Sequence, residues 1–215
     1  MKEKIKIILI HGFSKNSKDM KYLKNELCKR NYSCVAIDLP LTFKKMEINF
    51  EIFRNKMTEI INNLEEGEKI VFISHSAGGF IVRNFLILEE YHNLIKSCIL
   101  IAPPNQGSIF ANFFYKYTPL RLFCKTLEGL TTDNFKDLEV YREDKIDIGV
   151  IAGNKDNILL GKIFYDEMGD GRVSLESTKL ENSKDHIIIP YNHHNIHYNK
   201  EVIELIINFI KQGKF

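Results

Sequence analysis

Six short apolar runs rich in Ile and Val punctuate the chain, at 4–10, 33–37, 69–74, 97–102, 146–152 and 186–190. Their apolar positions are nearly continuous rather than alternating, which is the pattern of strands covered on both faces, as in a parallel sheet. Between them the period lengthens to that of a helix. Met20, Leu23 and Leu27 stripe one segment, and Phe53, Met57, Ile60, Ile61 and Leu64 stripe a second at i, i+4, i+7, i+8 and i+11. Val202, Leu205, Ile206, Phe209 and Ile210 form a third apolar face, with Gly213 just past the expected helix end. This alternation predicts an α/β fold: a mainly parallel sheet of about six strands with helices on both faces.

One stretch departs from the rhythm. More than forty residues separate the fourth and fifth predicted strands, against the usual ~2–6. Within it Phe110, Phe113, Phe114 and Tyr117 fall at i, i+3, i+4 and i+7, and beyond Pro119 a second stripe runs through Leu120, Phe123 and Leu127. Two readings stand side by side: helices simply packed on the sheet, or a lid or binding wall, since ligands of such sheets bind at the carboxyl ends of the strands. The lid-like insertion covers about 105–140. No repeat, low-complexity tract or Pro/Gly-rich linker divides the chain, so 1–215 reads as a single domain.

Composition then removes whole classes of function. With 44% hydrophobic and 27% charged residues the 215-residue chain is globular rather than disordered or fibrous. Thirty basic and 28 acidic residues, spread along the chain, leave a net charge of +2 and no footprint for nucleic acid. No apolar run reaches the 18 or so residues of a membrane span. Lys6 interrupts the apolar start and no small-residue cleavage site precedes His11-Gly12, so no secretory signal is expected and the location expected is cytoplasmic. Cys28, Cys34, Cys98 and Cys124 sit at irregular spacings and read as reduced thiols. Walker A and G-x-G-x-x-G patterns are absent, and no cofactor is expected.

The chemistry gathers after the strands. Ser74-His75-Ser76-Ala77-Gly78-Gly79 follows the third strand and opens an apolar helical pattern over 80–88. That context suits a nucleophile elbow, in which a tight strand-to-helix turn holds a serine hydroxyl out at the sheet edge. Gly78 supplies the small residue two after the serine; Ser74 stands where glycine is usual two before it. After the first strand, His11-Gly12-Phe13 forms a turn whose Phe13 N–H, with that of Ala77, would make an oxyanion hole. The plainer alternative is a tight turn ordered by its histidine. Asp170, in Asp170-Gly171-Arg172-Val173, and His193 complete the chain order Ser, Asp, His expected of a triad on this architecture. Asp156 is a second candidate acid, and His194 and His197 are second candidate bases. A metal set of His186, His193, His194 and His197, with Glu201, is the weaker alternative, since no cysteine or carboxylate-rich motif accompanies it. No metal is therefore expected.

Five segments together resemble the α/β-hydrolases of the bacterial lipase and esterase kind: Ile-Leu-Ile-His-Gly-Phe (8–13), Ser-His-Ser-Ala-Gly-Gly (74–79), Ile-Ala-Pro-Pro-Asn-Gln-Gly-Ser (101–108), Gly-Asp-Gly-Arg-Val-Ser (169–174) and the His193 region. The stretch 104–108 is similar to the Pro-His-x-Gly-Ser sequence of such lipases, and the Asp-Gly-x-Val segment to the one that holds their aspartate. The resemblance implies a compact α/β-hydrolase with Ser76, Asp170 and His193 as triad, and Asp170 rather than Asp156 as the acid. Lipases of this kind that bind calcium place an aspartate two residues after their histidine; Asn195 stands there, which argues against calcium. The function expected is a serine esterase or lipase acting on carboxylic esters with an apolar acyl group, held by Phe110, Phe113, Phe114 and Tyr117. The partner expected is a small-molecule or lipid ester. A thioesterase or acyltransferase using the same triad, and a catalytically silent binding module, remain as alternatives.

Overall fold

The computed structural model describes residues 3–133, 145–155 and 168–215. Six strands, β1 (Ile5–Ile10), β2 (Ser33–Ile37), β3 (Lys69–His75), β4 (Ile95–Ile101), β5 (Asp147–Gly153) and β6 (Asp185–Ile189), form one sheet in the order β2-β1-β3-β4-β5-β6. Every pairing is parallel. All six predicted runs are strands, within about two residues at each end.

The near-continuous apolar runs resolve into two interleaved faces. Ile8, Ile10, Ile70, Phe72, Cys98, Leu100, Ile148 and Val150 face one core, with α2 (Met46–Asn62) and α3 (Ala77–Phe85) packed over them. Ile7, Leu9, Val71, Ile73, Ile99, Ile101 and Ile151 face the other, beneath α1 (Lys21–Cys28) and a C-terminal helix at Lys200–Gln212. Phe53, Phe72 and Phe85 lock the first core with ring centroids 5.5–6.1 Å apart. The C-terminal helix stops at Gly213, whose φ of +69° is the left-handed conformation that closes a helix end, with its N–H on the Phe209 carbonyl.

Between β4 and β5 the chain builds α4 (Ile109–Tyr117), a 3₁₀ turn (Pro119–Leu122) and the short α5 (Thr126–Gly129). Residues 134–140 of the expected insertion, and Asp156, lie outside the described residues. Between β5 and β6 lies α6 (Leu175–Thr178), which makes the C-terminal helix α7. Among the described residues no helix is long and apolar enough to cross a membrane.

The strand order fixes where chemistry can occur. The chain winds outward from β1 to β2 and then returns to place β3 on the other side of β1, so the order reverses between β1 and β3. A crevice opens outside the carboxyl ends of strands at such a reversal. The turn at 11–13 and the turn at 75–77 both emerge there.

Candidate active site

Ser76 sits between β3 and α3 with φ +52° and ψ −126°, a backbone region that residues with a Cβ rarely enter. Two close approaches make this turn possible. A Cβ on Gly78 would lie 2.6 Å from the His11 carbonyl oxygen and 2.9 Å from that of Ile10, so the first turn of α3 presses directly on the end of β1. A Cβ on Gly12 would lie 2.9 Å from the Ser76 Cβ. The missing side chains let the loop after β1 touch the nucleophile turn. Ser74, in the position usually held by glycine, is fully buried, and its hydroxyl finds no partner.

Asp170 lies in a tight turn closed by the Asp170 N–H on the Val173 carbonyl at 3.1 Å. Its Oδ1 accepts from the N–H groups of Arg172 (3.0 Å) and Val173 (2.8 Å), which fixes the carboxylate and leaves Oδ2 to point at the base. His193 follows β6 and is tied to the same turn by its own N–H on the Asp170 carbonyl at 2.9 Å. Its Nδ1–H donates to Asp170 Oδ2 at 2.7 Å, so Nε2 carries the free lone pair, and the Ser76 hydroxyl donates to that nitrogen at 2.9 Å. Asp170 is 1% exposed and His193 4%. The three sequence candidates thus stand in one hydrogen-bonded line. His194 and His197 make no contact with the Ser76 hydroxyl in this line; His197 is turned to the opposite side, toward Asp19.

His11 orders the neighbouring turn. Its Nδ1–H donates to the Gly12 carbonyl at 2.9 Å and its Nε2 accepts from the Leu39 N–H at 3.1 Å. Burial holds its pKa below the ordinary value, so the ring is neutral, as those two bonds require. Phe13 follows this turn and lines the same cleft as Ser76. Ala77 is the first residue of α3, so its N–H has no acceptor within the helix.

Beside Ser76 and His193 lies a cleft of about 40 Å³, walled by Phe13, Phe110, Ala111, Leu127, Leu130 and Val173. The four aromatic candidates of the insertion part company here. Phe110 enters the cleft, with the Arg172 guanidinium 5.5 Å from its ring centre. Phe114 packs against the core, and Phe113 and Tyr117 line a separate groove on the outer side of α4. The motif at 104–108 serves as a brace. Asn105 accepts from buried Arg83 of α3 at 3.1 Å and donates to the Thr178 carbonyl of α6 at 2.8 Å, while Ser108 caps α4 through the Ala111 N–H.

Behind His193, the sequence reading missed a buried group. His75 Nε2–H donates to the His193 carbonyl at 3.0 Å, and its ring packs 4.1 Å from that of His197. Asp19, from the turn before α1, places Oδ2 3.2 Å from His197 Nε2 and receives the Tyr198 hydroxyl on Oδ1 at 2.8 Å. Burial pushes the Asp19 pKa up, but His197 and the Tyr198 hydroxyl more than offset this and hold it well below the usual carboxylate range. Burial, with His197 and His193 nearby, pushes His75 well below the ordinary histidine value. His75 carried a signal, being adjacent to the serine; Asp19 carried none, because only the tertiary fold brings it here. The histidine set weighed from sequence as a metal site does not assemble: His193 is engaged by Ser76 and Asp170, His186 meets Thr178, and Glu201 takes the Tyr191 hydroxyl.

Comparison with known proteins agrees with this geometry. Residues 2–102 match the family described as "Putative serine esterase (DUF676)". A search of the curated proteins finds no match. Among solved structures, the mature form of the Bacillus licheniformis lipase BlEst2 is similar over 100% of this chain and 94% of its own, with a TM-score of 0.85 at 20% identity. A metagenomic carboxyl esterase is similar over 99% of this chain and 77% of its own, with a TM-score of 0.71 at 14% identity. The Legionella pneumophila phospholipase PlaB is similar over 90% of this chain and 54% of its own, with a TM-score of 0.64 at 18% identity. Family and neighbours together support a serine hydrolase.

Proposed function

The chain has the fold of the α/β-hydrolases, and from that premise we propose that it is a carboxylic-ester hydrolase whose nucleophile is Ser76. The observation that carries the reading is the unbroken line from the Ser76 hydroxyl through His193 to Asp170, at 2.9 and 2.7 Å. The Ser76 Oγ attacks the ester carbonyl carbon as its proton passes to His193 Nε2. Asp170 holds the imidazole in the required tautomer and stabilises the imidazolium. The oxyanion forms toward the N–H groups of Phe13 and Ala77, where one such donor is worth about 10²–10³ in rate. His193 returns the proton to the departing alkoxide, leaving an acyl-enzyme. A water, deprotonated by the same nitrogen, then releases the acid and restores Ser76.

The acyl group this cleft favours is small and apolar. One water occupies about 10–15 Å³ on a comparable measure, so the cleft has room for roughly three. That suits an acetyl or propionyl group between Phe110, Leu127 and Leu130 better than a long chain.

The test is hydrolysis of p-nitrophenyl esters from acetate to palmitate by the wild-type protein and by Ser76→Ala, with fluorophosphonate labelling alongside. The reading expects activity weighted to the shortest esters, and loss of both activity and label in the variant. An unlabelled wild-type protein that hydrolyses none of the esters overturns it.

A further inference from the structure

The buried group behind His193 has the donor set of a metal site. We propose that Asp19 Oδ2, His75 Nδ1 and His197 Nε2 bind one first-row divalent cation, Zn²⁺ by the chemistry of its donors, as a structural ion that pins the segment carrying His193. The inference does not depend on the hydrolase reading.

Four observations carry it. First, the three donor atoms lie within 4.8 Å of one another, and all three residues are at least nine-tenths buried. Second, Asp19 Oδ2, His75 Nδ1 and both ring nitrogens of His197 have no hydrogen-bond partner. Buried polar atoms without partners cost free energy, and several converging on one point call for a common occupant. Third, the surroundings orient each ligand. The His193 carbonyl takes the Nε2–H of His75 and so turns a bare Nδ1 lone pair toward Asp19, 3.9 Å from its Oδ2. Tyr198 and Lys15 occupy only the other oxygen, Oδ1, at 2.8 and 3.4 Å. A histidine whose second nitrogen donates to a carbonyl and a carboxylate whose second oxygen is hydrogen-bonded are the usual outer partners of metal ligands. Fourth, the spacing fits. Ligands about 2.1 Å from a tetrahedral zinc stand about 3.4 Å apart. The Asp19–His197 gap of 3.2 Å already matches, and the Asp19–His75 gap of 3.9 Å asks for closure by about half an ångström.

Two imidazoles and one carboxylate leave a position for water and suit Zn²⁺ rather than Mg²⁺ or Ca²⁺, which prefer oxygen ligands. His75 precedes Ser76 in the chain and holds the carbonyl of His193, so an ion on its Nδ1 ties the nucleophile turn to the base.

The test uses the full chain, stripped with a chelator and titrated with Zn²⁺ by calorimetry, and with Co²⁺ as a spectroscopic stand-in, at pH 7.5. The proposal expects one ion per chain, the intense visible absorption of tetrahedral Co²⁺, and a Zn²⁺-dependent rise in melting temperature. Asp19→Asn and His197→Gln, each checked for folding by circular dichroism, lose at least about 100-fold in affinity, while His194→Gln binds as the wild type does. Failure of the folded wild-type protein to bind Zn²⁺ with defined stoichiometry overturns the proposal. So does binding that survives in both ligand variants, or that disappears with His194.

Discussion

The strained turn at Ser76 makes a prediction about stability that separates geometry from chemistry. Its φ of +52° and ψ of −126° fall where a Cβ is crowded by its own backbone, a conformation that costs about 1–3 kcal/mol in a residue other than glycine. Ser76→Ala and Ser76→Gly both delete the hydroxyl and its bond to His193, so that loss cancels when the two variants are compared. What remains is the Cβ. Glycine relieves the strain but gives back about 0.4–1 kcal/mol through the greater freedom of its unfolded chain. The balance leaves Ser76→Gly more stable than Ser76→Ala by about 1 kcal/mol, or about 2–4 °C in melting temperature for a domain of this size. Thermal and urea denaturation of the two variants, followed by circular dichroism, measure the difference. Neither variant takes a fluorophosphonate label. If the alanine variant melts at or above the glycine variant, the turn stores no strain and the argument fails.

Three further outcomes follow from the same geometry. Asp170→Asn keeps an oxygen for the Arg172 and Val173 amides but presents an N–H or a weaker acceptor to His193; kcat on a short p-nitrophenyl ester falls about 10³–10⁴-fold with little change in KM. Ser74→Ala removes a fully buried hydroxyl that has no partner, and raises unfolding stability by about 1 kcal/mol in a urea titration. His11 is buried and neutral with its pKa depressed, so below pH 6.5 the unfolded chain takes up a proton that the folded chain refuses. Its contribution is complete above pH 6.5 and is lost as the pH falls toward the folded value. Urea titrations from pH 7.5 to 5.5 therefore show a steeper loss in the wild type than in His11→Gln, by up to about 1.4 kcal/mol per pH unit; equal slopes would contradict it.

The strands were legible because burial on both faces writes a strand as an unbroken apolar run, and Ile7–Ile10, Val71–Ile73 and Ile99–Ile101 are such runs. Ser76, Asp170 and His193 were legible for a related reason. Each follows a strand closely, and a parallel sheet delivers everything that follows its strands to one edge. The aromatic stripe of α4 was only half legible. Its period correctly announced a helix, but period does not say which neighbour each side meets, and Phe110, Phe113 and Phe114 meet three different ones. Asp19 was invisible because a short polar turn far from the motifs acquires meaning only through what folds against it. Nor did the Asn105 motif declare its task, which is set by Arg83 and Thr178 at distant positions.

That brace has a consequence for how the molecule opens. Asn105 and Gln106 stitch the loop after β4 to Ser177 and Thr178, and Arg83 fastens the same loop to α3. The helix that starts at the proposed nucleophile and the segment that follows the proposed acid are therefore fastened to one buried side chain. In native-state amide exchange the hydrogen-bonded amides of α3 and the Ser177–Thr178 turn belong to one cooperative unit, exchanging with a common free energy. Cutting Asn105 to alanine splits that unit, so that the two halves of the catalytic line fray on separate clocks.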